Sequence, residues 1–196
     1  MSTPPVLDAA AARDRLPGLT VVDVRTPAEY ASGHVPGAHN VPLDALARAV
    51  PALREAAARG DILLVCQSGN RSATARDRLA AHGVPALDLA GGTSGWAAAG
   101  HPLDRPAGAP AKAVWAMDRQ VRLTAGSLVL LGLLLGLLVH PAFQLLSAAM
   151  AGGLVLSALT NSCAMALMLG KLPHNRPTAA APDLTATLTR LSDPGK

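Results

Sequence analysis

The stretch DILLVCQSGNRSATARDRLAAHG, residues 61–83, sets a single thiol, Cys66, directly after a short apolar run. The run reads as a buried strand ending at Val65, and SATARDRLAAH as an Ala-rich helix over 72–82. Gln67, Ser68, Gly69, Asn70 and Arg71 then form a short loop between them. In open parallel sheets ligands bind beyond the carboxyl ends of the strands, and Cys66 falls there. Gly69 permits a backbone that turns several N–H groups toward the sulfur. The helix that follows directs its positive end at the same point, and Arg71 adds a cation. These features favour thiolate over thiol and are expected to lower the Cys66 pKa below its free value of about 8.5.

A thiolate in such a cradle can accept a sulfur atom. It attacks the outer sulfur of a donor such as thiosulfate, and an acceptor such as cyanide or a thiol then removes that sulfur. Cys66 is the persulfide nucleophile in this reading and Arg71 stabilises the thiolate and the anion. Gln67, Ser68, Gly69, Asn70 and Ser72 line the substrate loop. No metal and no cofactor are required. The plainer alternative for a lone cysteine after a strand is a small buried hydrophobe; the glycine, the arginine and the helix start that follow weigh against it.

The elements that must position this loop alternate. LTVVDVR, DILLVC and VPALDL read as buried strands; residues 44–59 and 72–82 read as helices stopped by Gly60 and Gly83. That alternation predicts an α/β domain with a mostly parallel sheet.

Three segments in order resemble a single-domain rhodanese over roughly the first 104 residues. VVDVRTPAEYASGHVPGAHNVPL resembles the segment with the family's Asp-x-Arg and Gly-His-x-Pro-Gly-Ala turn, VCQSGNRS its active-site loop, and LAGGTSGWAAAGHPL its closing segment. The resemblance implies a five-stranded, mostly parallel sheet flanked by helices, sulfurtransferase activity of the thiosulfate type, and Cys66 as the persulfide carrier. Related phosphatases and arsenate reductases on that fold use Cys-x5-Arg, usually after a His. Here the spacing is Cys-x4-Arg after Val65. The shorter loop suits a sulfur atom better than a whole tetrahedral oxyanion.

Asp23 and Arg25 flank Val24 at a strand end and share one face. They are expected to support the site, with Asp23 paired and Arg25 paired to Glu29. His34 is expected to shape a turn rather than act as a base, and Trp96 to serve as core or pocket wall.

Half of the residues are hydrophobic but only 2% are aromatic, so the apolar mass is Ala, Leu and Val. Residues 1–105 are neutral, with ten Arg against eight Asp and two Glu; the net +4 lies in residues 106–196. No Lys/Arg run or interleaved aromatics support nucleic-acid binding. From Leu123 to Gly170 no charged residue occurs in 48 positions. A continuous helix of that length would span about 72 Å, roughly twice a ~30 Å hydrocarbon core. His140-Pro141 breaks the run, so two crossings are expected, near 121–139 and 145–169. A soluble helical hairpin would need a polar face at the 3.6 period, and LVLLGLLLGLLV has none. The pair also resembles the two-helix membrane appendage of some inner-membrane rhodaneses.

Arg119 and Arg122 before the first helix, and Lys171 and Arg176 after the second, place both termini and the N-terminal domain in the cytoplasm. With Arg13, Asp14 and Arg15 near its start, the N-terminus is read as mature sequence. Residues 105–118 are a linker, with Trp115 as an interfacial anchor; 119–172 form the hairpin; and 173–196 are expected to be disordered. Both cysteines are expected to be free thiols. Cys163, inside the apolar zone behind Asn161 and Ser162, is either a packing residue or a second sulfur site. Gly132/Gly136, Ala148/Gly152 and Gly153/Ser157 are small-xxx-small pairs that serve either the hairpin or a homodimer. The alternative overall reading is a non-catalytic module that senses sulfur species and is coupled to a hairpin binding a partner or conducting a small anion.

Overall fold

Every apolar run singled out in the first hundred residues becomes a strand of one parallel sheet. The computed structural model describes residues 6–106, 115, 117–160, 165, 168–169, 172 and 183–193. The chain forms two units, Met1–Val114 together with Pro177–Lys196, and Trp115–Arg176.

In the first unit the strands are β1 (Val6–Leu7), β2 (Leu19–Asp23), β3 (His39–Asn40), β4 (Asp61–Val65) and β5 (Leu87–Leu89). All pairs are parallel, in the order β1-β5-β4-β2-β3. β4 is therefore central, and Ile62 to Val65 are buried on both faces, which is why that run is continuously apolar. The two-residue edge strands β1 and β3 are too short to show a period of their own.

Helices cover both faces. α1 (Ala9–Arg15), α2 (Pro27–Ala31) and α5 (Gly92–Ala98) lie with a core of Ala12, Val21, Tyr30, Leu63, Val65, Leu89 and Trp96. α3 (Leu46–Arg59) and α4 (Asn70–Ala81) close the opposite face over Val22, Val24, Leu64 and Cys66. α4 begins at Asn70, two residues before the expected Ser72, because Gly69 is its N-cap with φ +105 and turns the chain directly from loop to helix.

The C-terminal tail corrects the expectation of disorder over 173–196. Residues Leu184–Ser192 form a helix, α8, capped by the Asp183 carboxylate, which accepts the Thr185 N–H at 3.3 Å. Leu191 is 2% exposed within the α3 core, with Leu184 and Leu188 packed beside it. Arg59 donates to the carbonyls of Ser192, at 3.0 Å, and Leu191. The Thr- and Pro-rich composition hides a packed face of Leu184, Leu188 and Leu191 with the buried Thr187, the i, i+3, i+4, i+7 pattern of a packed helix. Leu191→Ala is expected to lower stability by about 2–3 kcal/mol, the low end for a buried leucine because a terminal helix can undock. The shift of the denaturant midpoint of the detergent-solubilised protein measures it.

The second unit holds α6 (Met117–Leu138) and α7 (Gln144–Thr160). The expected bend falls at His140, whose Nδ1 accepts the Ala142 N–H at 3.1 Å. α6 starts four residues earlier than expected; Cys163 and most of the expected second helix after Thr160 lie outside the described residues. Apolar spans of 20 residues (Arg119–Leu138) and 19 residues (Pro141–Leu159) correspond to about 30 and 28 Å of helix. Gly132 and Gly136 serve the hairpin itself: a Cβ on either would lie 2.5 Å from Ser147 Oγ or Gln144 Cγ respectively. Ser147 uses the space to donate to the Val129 carbonyl at 2.8 Å. Trp115 lies under the Arg119 guanidinium, 3.9 Å from the ring centroid.

Candidate active site

β4 delivers Cys66 to the carboxyl edge of the sheet, where the adjoining strand β2 ends in register, Asp23 opposite Val65. The thiol is buried, at 1% exposure. Its Sγ accepts the Gly69 N–H at 3.1 Å and faces the Ser72 hydroxyl at 3.4 Å. Ser72, fully buried in the first turn of α4, also reaches the Gly69 carbonyl at 3.0 Å. Cys66, Gly69 and Ser72 are thus brought together as expected. Ser68 and Asn70 are exposed, and their side chains make no contact with the sulfur.

A second loop, after β5, clamps the first. The Thr93 N–H donates to the Cys66 carbonyl at 2.8 Å and the Ser94 N–H to the Gln67 carbonyl at 3.1 Å. With these carbonyls tied to the second loop, the Gly69 N–H is left to donate to the sulfur. Gln67 donates through Nε2 to Ser94 Oγ at 2.7 Å, and its Oε1 accepts from Arg25 Nη1 at 3.2 Å. The close approach depends on Gly92, at φ +57: a Cβ there would lie 2.8 Å from the Gln67 carbonyl oxygen and closer still to that of Cys66. Gly92→Ala is expected to cost at least about 2 kcal/mol, because strained backbone and a backbone clash add. It also displaces the cysteine loop. Thermal melting alongside the alkylation rate of Cys66 checks both effects.

The charged residues pair differently from the sequence expectation. Arg25 does not pair with Glu29. Its Nε and Nη2 donate to both Asp23 carboxylate oxygens at 2.6–3.0 Å, and its backbone N–H adds a bond at 2.9 Å. Two residues apart at a strand end, the side chains meet without any reach. Glu29 instead sits at the third position of α2, completing a capping box with Thr26. From there it receives a forked pair of bonds from Arg71, both 2.8 Å. Burial pushes the Arg71 guanidinium down, but the hydrogen bonds and charge of Glu29, and then the Cys66 sulfur, outweigh it and hold the group above its ordinary value. Arg71 is therefore a cation already matched by one carboxylate, and the Gly69 N–H and the Ser72 hydroxyl are the donors on the sulfur.

His34 shapes its turn, as expected. Its ring stacks on Tyr30 at 3.7 Å between centroids, its Nδ1 lies 3.0 Å from the Tyr30 carbonyl, and its backbone bridges to Asp104. Trp96 is core, with its indole N–H on the Pro102 carbonyl at 2.8 Å. Sequence reasoning missed Gly92, Thr93 and Ser94 as the clamp and Glu29 as the partner of Arg71. The segment GGTSGW was visible as a motif, but nothing in its spacing says that it bonds to the carbonyls beside Cys66.

A buried thiol at a central strand end, ringed by a tight loop and backed by a helix start, defines an α/β protein with a cysteine-loop site. Residues 6–99 match the family described as rhodanese-like domain. Residues 114–178 match the transmembrane domain described as inner membrane protein YgaP-like. The Synechocystis protein slr1261, described as uncharacterized, is 40% identical over 157 residues, 80% of this chain and 84% of that relative. Thiosulfate sulfurtransferase 16, chloroplastic, of Arabidopsis thaliana is 35% identical over 97 residues, 44% of this chain and 81% of that one. Among solved structures, the BH2092 protein of Bacillus halodurans shares the fold, with a TM-score of 0.50 and 24% identity over 59% of this chain and 88% of that one. The chain belongs to the rhodanese family and carries a YgaP-like inner-membrane transmembrane domain after its rhodanese-like domain.

Proposed function

We propose that this protein is a membrane-anchored sulfurtransferase that moves a sulfane sulfur from an anionic donor, thiosulfate foremost, to cyanide or a thiol through a persulfide on Cys66. The observation that carries the reading is the sulfur of Cys66 held by the Gly69 N–H and the Ser72 hydroxyl at the end of β4. The thiolate attacks the outer sulfur of thiosulfate; the S–S bond of the donor breaks and sulfite leaves with the electron pair. The product is a persulfide anion, whose negative charge the Gly69 N–H and the Ser72 hydroxyl stabilise. Cyanide then attacks the outer sulfur, thiocyanate leaves, and the thiolate returns. Charge balances in each step, so the cycle needs no oxidant.

The C-terminal helix bears on the membrane arrangement. α8 packs on α3 in the same unit as the sheet. That residues on both sides of the apolar segment belong to one unit supports an even number of crossings. Two crossings by α6 and α7, with the sulfurtransferase domain and both termini on the cytoplasmic side, satisfy this and the distribution of Arg119 and Arg122.

The test is the mass of the Cys66 peptide after the purified protein meets thiosulfate. A gain of one sulfur atom, discharged by cyanide, is expected. No gain with thiosulfate or with a small persulfide donor would replace this reading with a sensing module.

A further inference from the structure

Asp88 is a carboxylate in an apolar setting that the reaction above does not use. It pairs in register with Leu64 on β4, and Cys66 lies two residues further along that strand. Side chains alternate along a strand, so Asp88, Leu64 and Cys66 share one face of the sheet, under α4. Asp88 is 6% exposed. Its Oδ1 is buried without a hydrogen-bond partner, and its Oδ2 lies 3.8 Å from the Arg76 guanidinium. The Ser72 hydroxyl faces the sulfur at 3.4 Å and also acts on this carboxylate.

One hydroxyl proton cannot serve three acceptors. Ser72 Oγ lies 3.0 Å from the Gly69 carbonyl and 3.4 Å from Cys66 Sγ, which leaves Asp88 Oδ1 with no donor. A buried carboxylate oxygen in that position is costly. The arrangement becomes satisfied if Asp88 carries a proton: its O–H donates to a Ser72 lone pair, and the Ser72 O–H turns to the sulfur anion.

We propose that Asp88, through the Ser72 hydroxyl, takes up the proton that leaves the Cys66 thiol and keeps it while the sulfur is an anion. The S–H bond breaks and its proton passes to Ser72 Oγ as the Ser72 proton passes to the Asp88 carboxylate. Thiol plus carboxylate become thiolate plus carboxylic acid, with no electrons exchanged and no net charge added to the core. Asp88 stays neutral through persulfide formation and discharge, so the interior carries one negative charge rather than two. This deepens the sulfurtransferase reading and rests on it.

The surroundings support a carboxyl that holds a proton readily. Burial pushes the Asp88 carboxyl up; the Ser72 hydroxyl, the Arg76 charge and the Leu89 N–H pull it back, and Asp77 adds to the rise. Arg76 and Asp77, both on α4, are the charged groups acting on it, while β1 and β4 present Val6 and Leu64 at the paired positions. On the sulfur side the Arg71 guanidinium, which acts on Cys66, is matched by Glu29. A folded value above the unfolded one means that Asp88 favours folding most at low pH, and that this contribution is lost as pH rises through the folded titration. Asp88→Asn, isosteric and uncharged, is therefore expected to fold at neutral pH.

The experiment follows iodoacetamide alkylation of the Cys66 peptide by mass, as a function of pH, on full-length protein in detergent. It needs no sulfur donor. Two groups sharing a proton titrate in two macroscopic steps. The wild type is expected to show a plateau between two rises in rate. Asp88→Asn, which competes for no proton, is expected to show a single rise and to react faster than the wild type throughout the plateau, about twofold where the proton is shared equally. Superimposable profiles would overturn the proposal. Infrared difference spectra provide a second arm: at the plateau pH the wild type should show a carboxylic-acid C=O stretch that Cys66→Ser lacks, and its absence from the wild type would also overturn it. If thiosulfate adds no sulfur to Cys66, the sulfurtransferase reading fails, while the alkylation profile still decides the role of Asp88.

Discussion

Cys66→Ser is expected to reduce thiocyanate formation from thiosulfate and cyanide by at least ~10³-fold, to the uncatalysed background. Covalent catalysis leaves no partial substitute for its nucleophile, so the loss approaches all of the turnover. A serine hydroxyl does not attack sulfane sulfur at neutral pH and cannot form a persulfide. The variant should nevertheless fold. The new oxygen keeps the Gly69 N–H as donor and the Ser72 hydroxyl as neighbour, so the buried polar group stays satisfied. A stability change within about 1–2 kcal/mol is expected for exchanging one small group in a hydrogen-bonded site. Thiocyanate assay and melting temperature, measured on the same preparation, separate lost chemistry from lost fold. A variant that keeps a tenth of the wild-type rate would remove Cys66 from the reaction.

The second large effect falls on stability. Asp23→Ala is expected to destabilise the domain by about 3–5 kcal/mol, read from the denaturant midpoint, because it strands a buried cation. Asp23 is fully buried and Arg25 nearly so, and four hydrogen bonds join them. The remaining guanidinium bonds go to the Gly33 carbonyl, at 2.7 Å, and to Gln67 Oε1. Neither acceptor carries the charge that would balance it. Gln67 is the residue after Cys66, so the loop loosens as the strand end does, and activity falls before the protein unfolds. Asp23→Asn keeps the acceptor oxygen and should cost less than the alanine variant. The pair at Glu29 and Arg71 is a milder case: the Arg71 side chain is 26% exposed, and water can take over part of its solvation when Glu29 is removed.

The cysteine loop was legible from local sequence because it is local. Cys66, Gly69 and Ser72 lie within seven residues, and one strand end, one left-handed glycine and one helix start bring them together. The parallel sheet and the break at His140-Pro141 were legible for a similar reason, since apolar runs and proline act over short stretches of chain. Three things required the folded chain. The partner of Arg25 had two candidates at similar sequence distance, and the capping box at Thr26 drew Glu29 away toward Arg71. The clamp of Gly92, Thr93 and Ser94 on the carbonyls of Cys66 and Gln67 joins segments some 26 residues apart along the chain, which no local period encodes. The α8 helix finds its core against α3, more than 130 residues away, so its three packed leucines read as part of a Thr/Pro-rich tail until the partner is in place. The same holds for Asp88: an acidic residue in a short strand is unremarked until the register sets it beside Leu64, on the face that carries the sulfur.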